Sequence, residues 1–201
     1  MSSVAGQPVS QEDVDAFRED GAVALHGIFA DWVETLRAGV ERNLADPGPD
    51  VRVYESEGAG GRFVGDYWIP LDPVDRETTV EFVAGSHRWG KEFRPERFNR
   101  TPLVEGDTRE AVPDVEERRG DYRVLGWALE PGDAAAFHYT TLHGAPANTS
   151  TRTRRAFALR LLGDAAVFRE RSGPTSPPFR GLTLRDGDPL DTPEFPLLIG
   201  G

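Results

Sequence analysis

The side chains able to do chemistry are few. The 201-residue chain has four histidines, His26, His87, His138 and His143, and no cysteine. Without a thiol there are no disulfides, zinc fingers, thiolate nucleophiles or iron–sulfur clusters, so any metal must be held by His, Asp or Glu. His26 ends an early strand with no acidic residue spaced to support it, and is read as structural. The densest signal is Leu129-Glu130-Pro131-Gly132-Asp133, then Ala134 to Phe137 and His138, then His143-Gly144-Ala145-Pro146-Ala147-Asn148, then Arg154-Arg155. Pro-Gly-Asp makes a turn and the alanine run a buried strand. His143 opens the next segment beside a glycine that permits close backbone approach. Arg154, eleven residues on, stands near the start of another strand. A guanidinium there can grip a carboxylate with two hydrogen bonds. Spacing alone favours equally a surface arginine within the basic group Arg152, Arg154 and Arg155.

Two helices and a set of short strands must position these groups. Ser10 as N-cap, Asp13 three residues later, Val9 and Val14 as a staple and Gly21 as the stop predict a helix from Val9 to Gly21. After a strand at Ala22-Val23-Ala24-Leu25, Asp31 is expected to cap a second helix. Its apolar residues Trp32, Val33, Leu36, Val40 and Leu44 recur at helical spacing, and it ends at Asp46-Pro47-Gly48-Pro49. Beyond that breaker, strand-like runs predict an all-β region: Val51 to Tyr54, Tyr67 to Leu71, Thr79 to Val83, Tyr122 to Leu129, Ala134 to His138 and Arg155 to Leu162. In the last run Phe157, Leu159 and Leu161 alternate with Ala156, Ala158 and Arg160, as in a half-buried strand. Residues 91–121 are charged and poor in pattern, a long surface insertion with one helical turn; the tail from Ser172 is rich in Pro and Gly.

Composition narrows the function classes. A fraction of 38% hydrophobic residues suits one globular domain, and 22 glycines with 16 prolines favour a loop-rich β architecture. The expected organisation is a single domain over 1–201: a helical part about 9–46, a β part about 51–170 and a surface-wrapping tail about 172–201. The net charge of −11 repels phosphate backbones and anionic membrane surfaces, so nucleic acid and membranes are excluded as partners. With no signal-like or membrane-spanning run, the chain is read as soluble and cytoplasmic.

Three blocks, Trp68 to Gly90 (WIPLDPVDRETTVEFVAGSHRWG), Leu129 to His138 (LEPGDAAAFH) and His143 to Asn148 (HGAPAN) with Arg154, resemble in order the phytanoyl-CoA dioxygenase family of Fe(II)- and 2-oxoglutarate-dependent oxygenases. The resemblance implies a mainly β fold with N-terminal helices, built as a double-stranded β-helix, or jelly roll. It also implies Fe(II) and 2-oxoglutarate as cofactors and hydroxylation of a small organic or acyl substrate. By the same resemblance His143 matches the distal histidine of the iron triad, Arg154 the arginine that binds the far carboxylate of 2-oxoglutarate, and Trp68 an aromatic position near the cosubstrate. His87, in Gly85-Ser86-His87-Arg88-Trp89, matches a family loop rather than a ligand.

The family's facial triad takes two ligands from an H-x-D or H-x-E sequence upstream of the Trp68 block, and neither pattern occurs here. The residues resembling the family before and after that motif are joined directly at Tyr67-Trp68, which reads as an internal deletion and an incomplete jelly roll. Asp66 and His138 are the remaining conceivable donors, but on an unbroken strand His138 and His143, five apart, point to opposite faces. Lost strands leave open backbone edges, which predicts a homo-oligomer. Two functions therefore stand: an oxygenase of this family, or a jelly-roll remnant that binds an anion or partner without iron. A cupin-like metal protein is weaker, since no H-x-H pattern is present.

Overall fold

The structure, a computed structural model, describes residues 9–47, 54–55, 62–63, 68–94, 102, 104–148, 151–163, 165–170, 179 and 181–196. It contains two compact units, residues 1–159 and 160–201. The second holds a bridge between Val167 and Pro189 and a contact of the Phe179 and Phe195 rings with centroids 5.1 Å apart. Among the described residues, the helices and strands lie in the first.

Helix α1 spans Gln11–Asp20 with the expected ends. The Ser10 side chain accepts from the Asp13 N–H, the Asp13 carboxylate accepts from the Ser10 N–H, and Gly21 closes the helix at φ 78°. The second helix departs from expectation. Asp31 falls inside a 3-10 turn, Ala30–Trp32, and helix α2 runs Val33–Ala45 from an N-cap at Trp32 that makes no side-chain cap bond. The reason is Gly132: its carbonyl accepts the Phe29 N–H, and its Cα lies so close to Ala30 that an added Cβ would stand 2.7 Å from the Ala30 Cα. The chain must tighten there before the helix begins.

The strands are short and antiparallel: β1 Ala22–Leu25, β2 Tyr54–Glu55, β3 Arg62–Phe63, β4 Ile69–Pro70, β5 Glu81–Val83, β6 Val124–Leu125, β7 Ala134–Phe137, β8 His143–Gly144 and β9 Ala156–Phe157. β1 pairs with β7, β2 with β3 and β4 with β9, while β5 lies between β6 and β8. Of the expected run Val51 to Tyr54 only Tyr54 is described, and Tyr67 also lies outside the described residues. The run Tyr122 to Leu129 pairs only at Val124–Leu125. At Gly126 a Cβ would meet the Arg76 guanidinium at 2.9 Å, and Leu129 then makes an isolated bridge with Val74. Among the described residues the run Arg155 to Leu162 pairs only at Ala156–Phe157, opposite the two-residue strand β4, with the Leu71 N–H bonded to the Arg155 carbonyl next to it. Leu159 is accordingly 48% exposed and Leu161 67% exposed. The described residues of 91–121 include one 3-10 turn, Arg119–Asp121, and a bridge of Phe93 with Glu110.

Phe82 is the centre of the core. It is fully buried among Ala22, Val80, Leu129 and Ala135, with Trp68, Leu125, Trp127 and Phe137 packed around them. Ring centroids of Trp127 and Phe137 lie 5.9 and 5.1 Å from its own, within the range of favourable tilted packing. Gly21 is the other junction. Its carbonyl accepts from the His138 N–H and the Thr141 hydroxyl, each at 2.8 Å, and a Cβ on it would fall 2.2 Å from His87 Nδ1. His87 meets the Arg18 carbonyl through Nε2 at 3.2 Å while its Nδ1 is buried without a partner. Its ring lies 5.4 Å from that of His138. Among the described residues no helix is long and apolar enough to cross a membrane.

Two measurements test this construction. Gly21→Ala must both hold a left-handed backbone and displace His87, and should cost about 2 to 5 kcal/mol in urea unfolding, comparable to Phe82→Ala at about 3 to 5 kcal/mol. Burial, aided by the charge of nearby His87, holds His138 below the ordinary imidazole value. The unfolded chain then binds a proton that the folded chain refuses. Stability should be level above roughly pH 6.5 and decline as pH falls below it toward the depressed folded value, and His138→Gln should flatten the decline.

Candidate functional site

His143 is placed by β-pairing. It faces Phe82 in the β5–β8 register, and its ring lies 6.1 Å from the ring of Phe82 and 4.8 Å from that of Phe137. The Thr141 carbonyl lies 2.9 Å from Nδ1 and can only accept, so Nδ1 carries a hydrogen and the neutral ring has its lone pair on Nε2. This is the tautomer a metal ligand or general base needs. The strand ends at Phe137, and the turn through Thr140 and Thr141 follows. His138 therefore belongs to a different environment, beside His87 and Tyr139, with Nδ1 2.8 Å from the Thr140 hydroxyl.

Arg154 and Trp68 come together. The guanidinium carbon lies 5.9 Å from the centre of the indole, in the cation–π range, and Nη1 donates to the Thr78 carbonyl. Arg154 is half-buried, and burial alone lowers its pKa, because no carboxylate stands beside it among the described residues. Its neighbours in sequence behave otherwise. Arg155 donates to both oxygens of Asp72, at 2.9 and 2.6 Å, and to Glu41, while Arg152 reaches Asp75 at 2.6 Å. Burial would raise the Asp72 carboxyl, but the Arg155 bonds outweigh it and hold the group below the usual carboxylate range. The basic group thus divides into two ion-paired arginines and one half-buried cation without a counter-charge among the described residues. Trp68 and His143 both border the Phe82 core, Trp68 from the position just before β4 and His143 from β8.

Two constellations escape the sequence reading. His26 does have an acidic partner: Asp133, 107 positions away, sets Oδ2 3.1 Å from His26 Nδ1 and accepts the N–H groups of Gly27 and Glu130. The Pro-Gly-Asp turn was the available signal, but only the β1–β7 pairing brings it to His26. The second is a charge lattice on β5. Glu81 Oε1 accepts from Arg76 Nη1 at 2.7 Å and from Arg119 Nη2 at 2.6 Å, and Arg119 also holds Glu116. Arg119 foremost, then Arg76 against the opposing effect of burial, keeps the Glu81 carboxyl below the ordinary range. Arg119 comes from the patternless insertion, so no spacing announces the contact. These residues and His143 line an open cleft of about 900 Å³.

The donor set does not fit a facial iron triad. Among the described residues no group of three or more His, Asp or Glu side chains is placed to hold a metal ion. His143 contributes one nitrogen, His138 is turned to His87, and Glu81 is occupied by two guanidiniums. Asp66 lies outside the described residues.

Comparison with known proteins places this geometry in context. No curated protein matches the chain. Among solved structures, it is similar to the non-heme alpha ketoglutarate dependent epimerase SnoN from nogalamycin biosynthesis, with a TM-score of 0.65, 18% identity, and 94% of this chain and 98% of that one covered. SnoN has also been solved in complex with Fe3+, alpha ketoglutarate and nogalamycin RO, at a TM-score of 0.56 and 17% identity over 92% of this chain and 97% of that one. The non-heme alpha ketoglutarate dependent carbocyclase SnoK, from the same biosynthesis, matches at 0.59 and 20% identity, over 98% and 99% of the two chains. At such identities the likeness is one of fold. The model of the family Phytanoyl-CoA dioxygenase (PhyH) matches residues 55–156, half of the chain and the whole span from β3 to the first residue of β9. The chain belongs to the phytanoyl-CoA dioxygenase family.

Proposed function

We propose that this protein keeps the carboxylate-binding half of an Fe(II)/2-oxoglutarate oxygenase site and binds a small dicarboxylate of the 2-oxoglutarate type through Arg154, without iron-dependent turnover. The observation that carries the reading is the half-buried Arg154 guanidinium, backed by Trp68 and the Thr78 carbonyl and lacking a carboxylate among the described residues. A desolvated cation of this kind gains most from an anion that can accept two parallel hydrogen bonds. Trp68 fixes the plane of the guanidinium and shields one face from water. His143, with Nε2 unprotonated, is the remaining metal-ligand position, and one imidazole does not hold iron with sites open for cosubstrate and oxygen. The scaffold of this reading is a double-stranded β-helix reduced in its early strands. It is a single cytoplasmic domain that acts on small molecules, engages neither nucleic acid nor membrane, and is completed at its open edges by a second copy.

The second reading is a working oxygenase that hydroxylates a small organic or acyl substrate. Family membership and the fold shared with SnoN and SnoK favour it. It requires two further iron donors from residues outside those described.

Anaerobic calorimetry with 2-oxoglutarate separates the readings. The expected result is binding without metal, weakened at least tenfold, about 1.4 kcal/mol, by Arg154→Ala and weakened less by Arg154→Lys, with no oxygen-dependent succinate after Fe(II) is added. Oxygen-dependent succinate in step with bound iron establishes the second reading instead, and no binding of 2-oxoglutarate under any condition overturns the first.

A further inference from the structure

The cleft beside His143 has a wall whose guanidiniums are already paired with carboxylates. Its apolar side includes Val112, Val115, Val124 and Pro146, and its polar side is the lattice of Arg76, Glu81 and Arg119 with Glu77 and Glu116. Both guanidiniums donate to one oxygen of Glu81, and Arg119 gives its other arm to Glu116. Glu81 is the least exposed member of the lattice, its side chain 16% exposed against 40% for Arg76 and 43% for Arg119. Among the described residues Glu81 Oε2 accepts no hydrogen bond, and the Glu77 carboxylate has neither a hydrogen-bond nor an ion-pair partner. Three carboxylates face two guanidiniums, so the wall carries one negative charge in excess, within a chain whose net charge is −11.

From this arrangement we infer that Glu81 is a specificity-determining residue: by occupying both arginines it makes the cleft select an amine-bearing, largely apolar small molecule over an acid or a polyanionic acyl thioester. The inference deepens the proposed function by naming the class of the second ligand, and rests on it only in treating the His143 cleft as a ligand site. An acid entering the cleft must either break a guanidinium away from Glu81 or sit beside unpaired carboxylates, and both are unfavourable in a partly desolvated wall. An ammonium finds the Glu77 carboxylate unpaired and Glu81 Oε2 free to accept a hydrogen bond, and its hydrocarbon body covers the valines and Pro146. β-Pairing fixes the location, since Glu81 lies opposite Gly144 and the next pair is Phe82 with His143. The selecting carboxylate is therefore one residue from the ring that contacts His143.

The test uses two probes with one ring and opposite charge, 1-naphthylmethylamine and 1-naphthoate, titrated by fluorescence against the whole protein. The amine should bind at least about fivefold tighter than the acid, a difference that shrinks with added salt. Glu81→Gln releases both guanidiniums and should reverse the order. Arg119→Gln removes one guanidinium and should widen the preference for the amine, which keeps the test decisive if Glu81→Gln fails to fold. Equal or tighter binding of the acid by the wild type, no measurable binding of either probe, or an unchanged ratio in the folded variants overturns the inference. Arg154→Ala should leave the ratio of the two probes unaltered while abolishing 2-oxoglutarate binding, so failure here and failure of the Arg154 reading are separately visible.

Discussion

Strand β5 is three residues long, and its alternation decides which chemistry faces which way. Phe82 points into the core and is covered by the rings of Trp127, Phe137 and His143, while Glu81, one residue earlier, carries the arginine lattice. A one-residue slip against β8 would exchange these faces, put a carboxylate among aromatic rings and leave a phenyl ring in the cleft. Burial of Phe82 prevents that slip. Through the same residue the core reaches Trp68 and hence the Arg154 guanidinium, so the two polar sites are held by one apolar contact set.

A facial iron site depends on convergence of three donors. Here Arg154 and the Trp68 ring stand together, and the Thr141 carbonyl orients the His143 imidazole. The remaining donors do not converge among the described residues: His138 is taken into contact with His87, and Glu81 is neutralised by two cations. A carboxylate bridging two guanidiniums is a poor metal ligand, because coordination would have to displace hydrogen bonds to charged donors. The arrangement therefore favours binding of organic ions at two places over redox chemistry at one.

Much of the positioning was legible in the residues themselves. The capping box at Ser10 and Asp13 and the stop at Gly21 are local signals, and local signals survive folding. The three motif blocks announced the family because their order is itself information. What was not legible is non-local. Asp31 looked like a helix cap until Gly132 crowded Ala30. His26 looked unsupported until β7 brought Asp133 alongside. The strand from Arg155 looked long, yet among the described residues it pairs with β4 over two residues. Arg119 gave no sign of its partner, since its segment has no periodicity and Glu81 lies 38 positions away. In each case a contact far along the chain outweighed a preference of the near neighbours.

The central claim is that a carboxylate is held by Arg154 without a three-ligand iron centre. Crystals grown anaerobically with ferrous iron and 2-oxoglutarate, measured at the iron absorption edge, test it most directly. The account predicts a 2-oxoglutarate carboxylate on the Arg154 guanidinium beside Trp68 and no iron bound by three protein side chains. An ordered iron ion held by His143 and two further side chains of the same chain would contradict it.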